Sequence, residues 1–171
     1  RPFLDFLSNA AEYGILCYLL GKRLSANPEP SMVSLAAYFF LMSAGAIAST
    51  TPDVSGDKKN GKITTAVYLG TKYALGLGLV FLLTSLFFGV IGNNAAVIVS
   101  AGISIAVFTG SVLFDRQDKY PACTYQVGGG ILILFVHVLY PVLLLISLFL
   151  VGATMVYFKR RHHTFYSRII F

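Results

Sequence analysis

The sequence predicts an all-α membrane protein of about five transmembrane helices, organised as a single domain over residues 1–171. Of the 171 residues, 56% are hydrophobic and only 12% are charged, and the mean hydropathy is +0.75. A soluble domain of this length needs a more polar surface. At roughly 20 residues for each membrane-spanning helix, the chain has room for one helical bundle and hardly for a second domain.

Apolar stretches account for each predicted helix. The first, residues 3–20, holds Asp5 near its start and Glu12 near its middle, so we expect these acids to face protein or lipid headgroups. For Glu12, a place in a substrate cavity and a place near a tilted helix end are both open. The next three stretches carry no charge and are long enough to span a bilayer. They are residues 32–50, 73–91 and 95–114.

The last apolar stretch, residues 131–157, is too long for a straight span. As one helix it measures about 40 Å, against a hydrocarbon core of about 30 Å, so we expect it to tilt or to bend, with Pro141 as the natural position of a bend. His137 lies within this stretch, and the favoured interpretation is a hydrogen-bonded core residue rather than a catalyst. The basic tail of residues 159–163 follows as an anchor to anionic lipid.

Five spans would gather most of the acids at one membrane face. The loops after the second and fourth spans then lie on the same side as the N-terminus, so a cation site is expected there. The acids that share this face are Asp5, Asp53, Asp57, Asp115 and Asp118. The excess of 13 Lys and Arg over 7 Asp and Glu fits contact with lipid headgroups, and nucleic acid is not an expected partner. We expect a multi-pass protein of the cell membrane.

One loop carries a chemical signature, Asp-Val-Ser-Gly-Asp from Asp53 to Asp57. Thr51 is predicted to cap a short helical turn with Pro52 at its first position, which sets the two carboxylates at i and i+4, about 6 Å apart. Carboxylates so placed repel each other unless a cation lies between them. Their hard oxygen atoms suit Mg²⁺, which proteins commonly hold with one or two carboxylates plus substrate phosphates.

Lysines follow these acids directly, at Lys58, Lys59 and Lys62. Ammonium groups beside a carboxylate-bound metal neutralise the charge of a diphosphate. The alternative is an ordinary surface turn with acids at helical spacing. The position of the loop at the end of a predicted span, in a chain with few charges, favours the metal and diphosphate site.

The run from Asp53 to Gly70 resembles the second aspartate-rich motif of the UbiA family of intramembrane prenyltransferases, with the Gly-x-x-Thr and Leu-Gly that follow it. Residues 1–6 and 51–53 are similar to the lycopene elongase and homogentisate prenyltransferase branches. The resemblance implies a bundle of nine helices, of which the five spans match helices five to nine. Because the family's first aspartate-rich motif is not found, we expect an N-terminally truncated enzyme that is inactive alone.

The resemblance also implies a mechanism. Mg²⁺ assists the departure of diphosphate from an allylic prenyl diphosphate, and a carbon of a lipophilic acceptor, carotenoid or aromatic, attacks the carbocation. By this resemblance Asp53 and Asp57 are the metal ligands, and Lys58 and Lys62 contact the diphosphate. No further catalytic residue is assigned.

Two other classes of protein compete with a prenyltransferase. A non-catalytic subunit of a membrane complex explains the spans but leaves the Asp53 loop without a role. A small transporter is less favoured, because transporters place polar groups at mid-membrane, where only Glu12 and His137 are available. Asp115 and Asp118 are expected either to cap the site from the facing loop or to form a solvated loop of paired charges.

Overall fold

A computed structural model describes most of the chain, and every element in the described part is helical. Its contacts divide the chain into two compact units, Arg1–Leu132 and Ile133–Phe171. Asp115 and Asp118 lie outside the described residues. The described residues are 2–113, 130, 131, 133, 134, 137, 138 and 140–162.

The first predicted span is helical but changes its winding in the middle. Helix α1 (Leu4–Asn9) continues through a π-helical segment (Ala10–Leu16) into α2 (Cys17–Arg23). Gly14 in the π-helical segment packs against the second span, where an added Cβ would lie 3.0 Å from the Phe39 Cα atom. Such a close approach of two backbones requires glycine, and a π-helical bulge is one way to direct it at its neighbour.

The second span forms helix α3 (Met32–Thr50), with the same bounds as the predicted stretch. The Ser31 side chain caps its N-terminus by accepting a hydrogen bond from the Ser34 N–H at 3.3 Å. Its buried face is formed by small residues such as Ala37, which let a neighbouring helix approach closely. Ser85 of that neighbour donates a buried hydrogen bond to the Ala37 carbonyl oxygen at 2.8 Å.

Helices α6 (Thr71–Ile91) and α7 (Ala95–Leu113) complete the first unit. Helix α6 packs between α3 and α7. The ring of Phe108 on α7 fills the space above Gly78 on α6, where an added Cβ would lie 2.9 Å from a ring carbon. Phe108 is only 1% exposed, so this glycine and aromatic pair is a closely packed part of the α6 and α7 interface.

In the second unit, helix α8 (Pro141–His162) begins at Pro141. The expected bend within one long helix is therefore wrong: Tyr140 is not helical, and the proline occupies the first helical position, where its missing N–H costs nothing. At 22 residues the helix is about 33 Å long, close to the thickness of the hydrocarbon core. His137 Nε2 lies 2.9 Å from the Ser147 hydroxyl oxygen, so this side chain is hydrogen-bonded as expected, but it is half-buried rather than in a core.

Three of these helices are long and apolar enough to cross a membrane. They are Met32–Thr50, Thr71–Ile91 and Pro141–Arg161. The described part of α7 contributes a shorter apolar helix, Ala95–Gly110. In the part of the chain that the structure describes, the protein is thus an all-helical protein with the composition of a membrane protein.

Candidate functional site

The Asp53 loop forms a short helix, α4 (Val54–Lys59), at the end of α3. The helix begins two residues later than predicted, and Thr51 does not cap it. The Thr51 side chain is buried and donates its hydroxyl to the Ala48 carbonyl oxygen at 2.8 Å, which satisfies a free carbonyl at the end of α3. Asp53 is the N-cap residue instead, without a side-chain capping bond.

Asp53 and Asp57 stand one helical turn apart, as predicted. The Asp57 N–H donates to the Asp53 carbonyl oxygen at 2.8 Å, which fixes the i, i+4 spacing. Their side chains differ in environment: that of Asp53 is exposed, whereas that of Asp57 is 13% exposed. The Asp57 Oδ2 atom is buried and has no hydrogen-bond partner among the described residues. Burying a carboxylate oxygen without a partner costs desolvation free energy, unless a cation or a hydrogen-bond donor contacts it.

The C-terminus of α4 turns back on itself and brings Lys62 to Asp57. Gly61 adopts φ +69°, a left-handed conformation that favours glycine. Its N–H donates to the Lys58 carbonyl oxygen at 3.2 Å, and the Lys62 N–H donates to the Asp57 carbonyl oxygen at 2.9 Å. These two bonds form a Schellman motif. As a result the Lys62 ammonium lies 3.3 Å from Asp57 Oδ1.

The three lysines therefore differ in their contacts. Lys62, expected beside a diphosphate, is ion-paired with Asp57 and remains 66% exposed, so its ammonium is open to solvent on one side. Lys58 and Lys59 are exposed on α4 itself. The sequence contained a signal for the Lys62 contact. Gly61, four residues after Asp57, is the residue type that ends a helix in a Schellman motif, and this motif returns the next residue, Lys62, to Asp57.

A contact that the sequence reasoning missed ties this loop to the first helix. The Asp5 carboxylate accepts from both the N–H and the hydroxyl of Thr65, the N–H bond being 2.9 Å long. The Thr65 hydroxyl oxygen also accepts from the Phe3 N–H at 3.0 Å. Thr65 is fully buried at the start of α5 (Thr65–Leu69). We call this set of bonds between Phe3, Asp5 and Thr65 the N-terminal clamp.

The N-terminal clamp corrects the expected cluster of acids. Both Asp5 oxygens are occupied by Thr65, which leaves this carboxylate a structural role. Among the described residues no group of three or more His, Cys, Asp or Glu side chains is placed to hold a metal ion. Asp5 therefore does not join Asp53 and Asp57 as a third ligand.

The chemistry of the loop nevertheless fits a magnesium ion held by two carboxylates. Asp53 and Asp57 supply hard oxygen atoms one helical turn apart. Asp57 Oδ2 has no hydrogen-bond partner among the described residues, so its lone pairs are not engaged by another group there. Mg²⁺ commonly takes only one or two protein carboxylates and completes its shell with water and phosphate oxygens. Glu12, the other candidate acid in the first span, is exposed in the π-helical segment.

Comparisons of the chain with protein-family models, with curated proteins and with solved structures found no match. The class that the described residues establish is a helical protein with membrane-spanning composition. Its candidate site is an acid and lysine loop at the end of one span.

Proposed function

We propose that the chain belongs to a Mg²⁺-dependent intramembrane prenyltransferase. The reaction transfers an isoprenyl group from a prenyl diphosphate to a lipophilic acceptor, a carotenoid or an aromatic compound. The observation that carries the proposal is the buried Asp57 Oδ2 atom, which has no partner among the described residues although it lies within a loop of acids and lysines. The resemblance of residues 53–70 to the UbiA motif supports the same assignment, with the spans as helices five to nine of that bundle.

The residues of the loop have two different roles in this proposal, metal binding and contact with the diphosphate. Asp53 and Asp57 would hold Mg²⁺, and the bound ion would neutralise the charge of the departing diphosphate. Lys62 is held near the site by its ion pair with Asp57, and its exposed ammonium donates to diphosphate oxygens. Lys58, which is exposed on α4, would contact the same group. The bond between the allylic carbon and the diphosphate oxygen breaks with its electron pair on the diphosphate. The acceptor carbon forms the new carbon–carbon bond with the allylic carbon, and its proton passes to the released diphosphate.

Binding of the donor tests this assignment directly. The chain is reconstituted in lipid nanodiscs, and binding of tritiated geranylgeranyl diphosphate is measured with Mg²⁺ and with chelator. We expect binding only with Mg²⁺, because two carboxylates alone repel the diphosphate. Lys58→Ala and Lys62→Ala are each expected to weaken binding about tenfold, the loss of a charge-assisted hydrogen bond.

Lys59→Ala is the matched control, since Lys59 is exposed on the same helix and is assigned no contact. It is expected to change binding less than either neighbour does. An equal loss for all three lysines would show that the surface field of the loop, rather than a defined site, attracts the diphosphate.

A further inference from the structure

A second site candidate lies at the other end of α3, in the loop that joins α2 to α3. A pocket of about 260 Å³ opens there. Since α3 has 19 residues, the pocket is about 28 Å from the Asp53 loop along the helix axis, at the opposite end of a membrane-spanning segment. Its lining is formed by Leu19, Lys22, Arg23, Pro28, Glu29 and Pro30.

Hydrogen bonds hold the walls of this pocket in place. The Ser31 N–H donates to the Tyr18 hydroxyl oxygen at 2.9 Å, which ties the end of the loop back to α2. The Ser25 hydroxyl oxygen lies 2.8 Å from the carbonyl oxygens of both Lys22 and Asn27, and its single hydrogen donates to one of the two. Two prolines in the lining further restrict the backbone. These bonds and prolines restrain the backbone of the loop that lines the pocket.

The lining carries both signs of charge without neutralising them internally. Lys22 and Arg23 end α2, and Glu29 stands on the facing part of the loop. Within the described residues no ion pair joins Glu29 to either cation. A ligand that complements this lining has an anionic group for the two cations and a cationic group for the carboxylate.

The pocket lies beside apolar surfaces that suit the acyl chains of a lipid. The pocket adjoins the start of a helix that can cross a membrane. On the first helix, large apolar side chains at four-residue spacing are exposed up to the loop: Leu16 is 55%, Leu20 is 63% and Leu24 is 88% exposed. They give acyl chains an apolar surface that ends beside the charged lining.

We propose that this pocket binds the headgroup of a phospholipid that carries both a phosphate and a primary ammonium, namely phosphatidylethanolamine. Lys22 and Arg23 bind the phosphate, and Glu29 accepts hydrogen bonds from the ammonium. Phosphatidylglycerol places no cation opposite Glu29, so the carboxylate faces an anionic lipid. Phosphatidylcholine has a cation there without an N–H to donate. The inference is independent of the proposed prenyl transfer, because it uses neither the Asp53 loop nor Mg²⁺.

Native mass spectrometry of the purified chain tests this binding. The chain is exposed to an equimolar mixture of phosphatidylethanolamine, phosphatidylglycerol and phosphatidylcholine with identical acyl chains, and the retained lipids are counted. We expect phosphatidylethanolamine to be retained about five- to tenfold over the other two, the range of one exposed charge-assisted hydrogen bond.

Variants separate the two halves of the pocket. Glu29→Gln should remove the preference for phosphatidylethanolamine over phosphatidylglycerol, and Lys22→Gln with Arg23→Gln should lower retention of both. Lys72→Gln, which removes an exposed lysine of α6 outside the pocket, should leave retention unchanged. Equal retention of the three lipids by the wild-type chain, retention of none, or a preference that survives in Glu29→Gln would each overturn the proposal.

Discussion

Replacing Gly61 with alanine is expected to open the C-terminus of α4. An added Cβ at Gly61 meets no atom within 4 Å, so the cost comes only from the backbone, which is held at φ +69°. A non-glycine residue in the left-handed region costs about 1–2 kcal/mol. The Schellman bonds that place Lys62 beside Asp57 depend on this conformation, so their protection should fall about five- to thirtyfold.

Gly56→Ala provides a matched control within the same helix. Its added Cβ also meets nothing within 4 Å, but Gly56 has no positive φ and lies inside α4. Alanine there should stabilise the helix by about 0.5–1 kcal/mol, which raises protection about two- to fivefold. Hydrogen exchange of the peptide covering residues 54–62, measured by mass spectrometry in nanodiscs, reports both effects. Equal changes in the two variants, or unchanged protection in Gly61→Ala, would refute the reasoning from backbone conformation.

Two further substitutions test the packing that supports the site. Asp5→Ala leaves the buried Thr65 N–H and hydroxyl without their acceptor, so we expect a loss of about 1–3 kcal/mol, seen as a lower midpoint of thermal unfolding in detergent; an unchanged midpoint would show that the N-terminal clamp does not stabilise the fold. Gly78→Ala places a Cβ 2.9 Å from the Phe108 ring and should lower the free energy of unfolding by about 1–3 kcal/mol, measured by the same assay. Gly76→Ala is the control, because its added Cβ meets no atom within 4 Å, and it should not lower the unfolding midpoint. Equal midpoints for the two variants would contradict the packing of α6 on α7.

The main helices could be predicted because apolar length and flanking polar residues mark them. Helix α3 has the predicted bounds, and α6 begins at Thr71, two residues before the predicted stretch. The π-helical segment was not predicted; it contains Gly14, which packs closely against Phe39 of another helix, a tertiary contact that no local pattern specifies. Pro141 was recognised as a special position, but a proline can either bend a helix or begin one, and the sequence does not distinguish these outcomes.

The site was predictable where it depends on local spacing and not where it depends on tertiary contacts. The one-turn separation of Asp53 and Asp57 follows from four residues of chain and is confirmed. The Thr51 hydroxyl could accept from a backbone N–H later in the chain, as a helix cap, or donate to a carbonyl oxygen of the preceding turn. In the structure it donates to the Ala48 carbonyl oxygen, and the local sequence does not distinguish the two. The hydrogen bond between Asp5 and Thr65 joins residues 60 positions apart, so no local sequence pattern predicts it.

The most direct test of the account is whether Asp57 binds a divalent cation. Mn²⁺, which replaces Mg²⁺ and is visible by electron paramagnetic resonance, is titrated into the reconstituted chain with inorganic diphosphate present. We predict saturable binding that weakens at least about tenfold in Asp57→Asn and in Asp53→Asn, because each loses a charged ligand. Glu29→Gln, which removes an exposed acid outside the loop, should bind as the wild-type chain does. Mn²⁺ affinity in Asp57→Asn equal to that of the wild type would contradict the account.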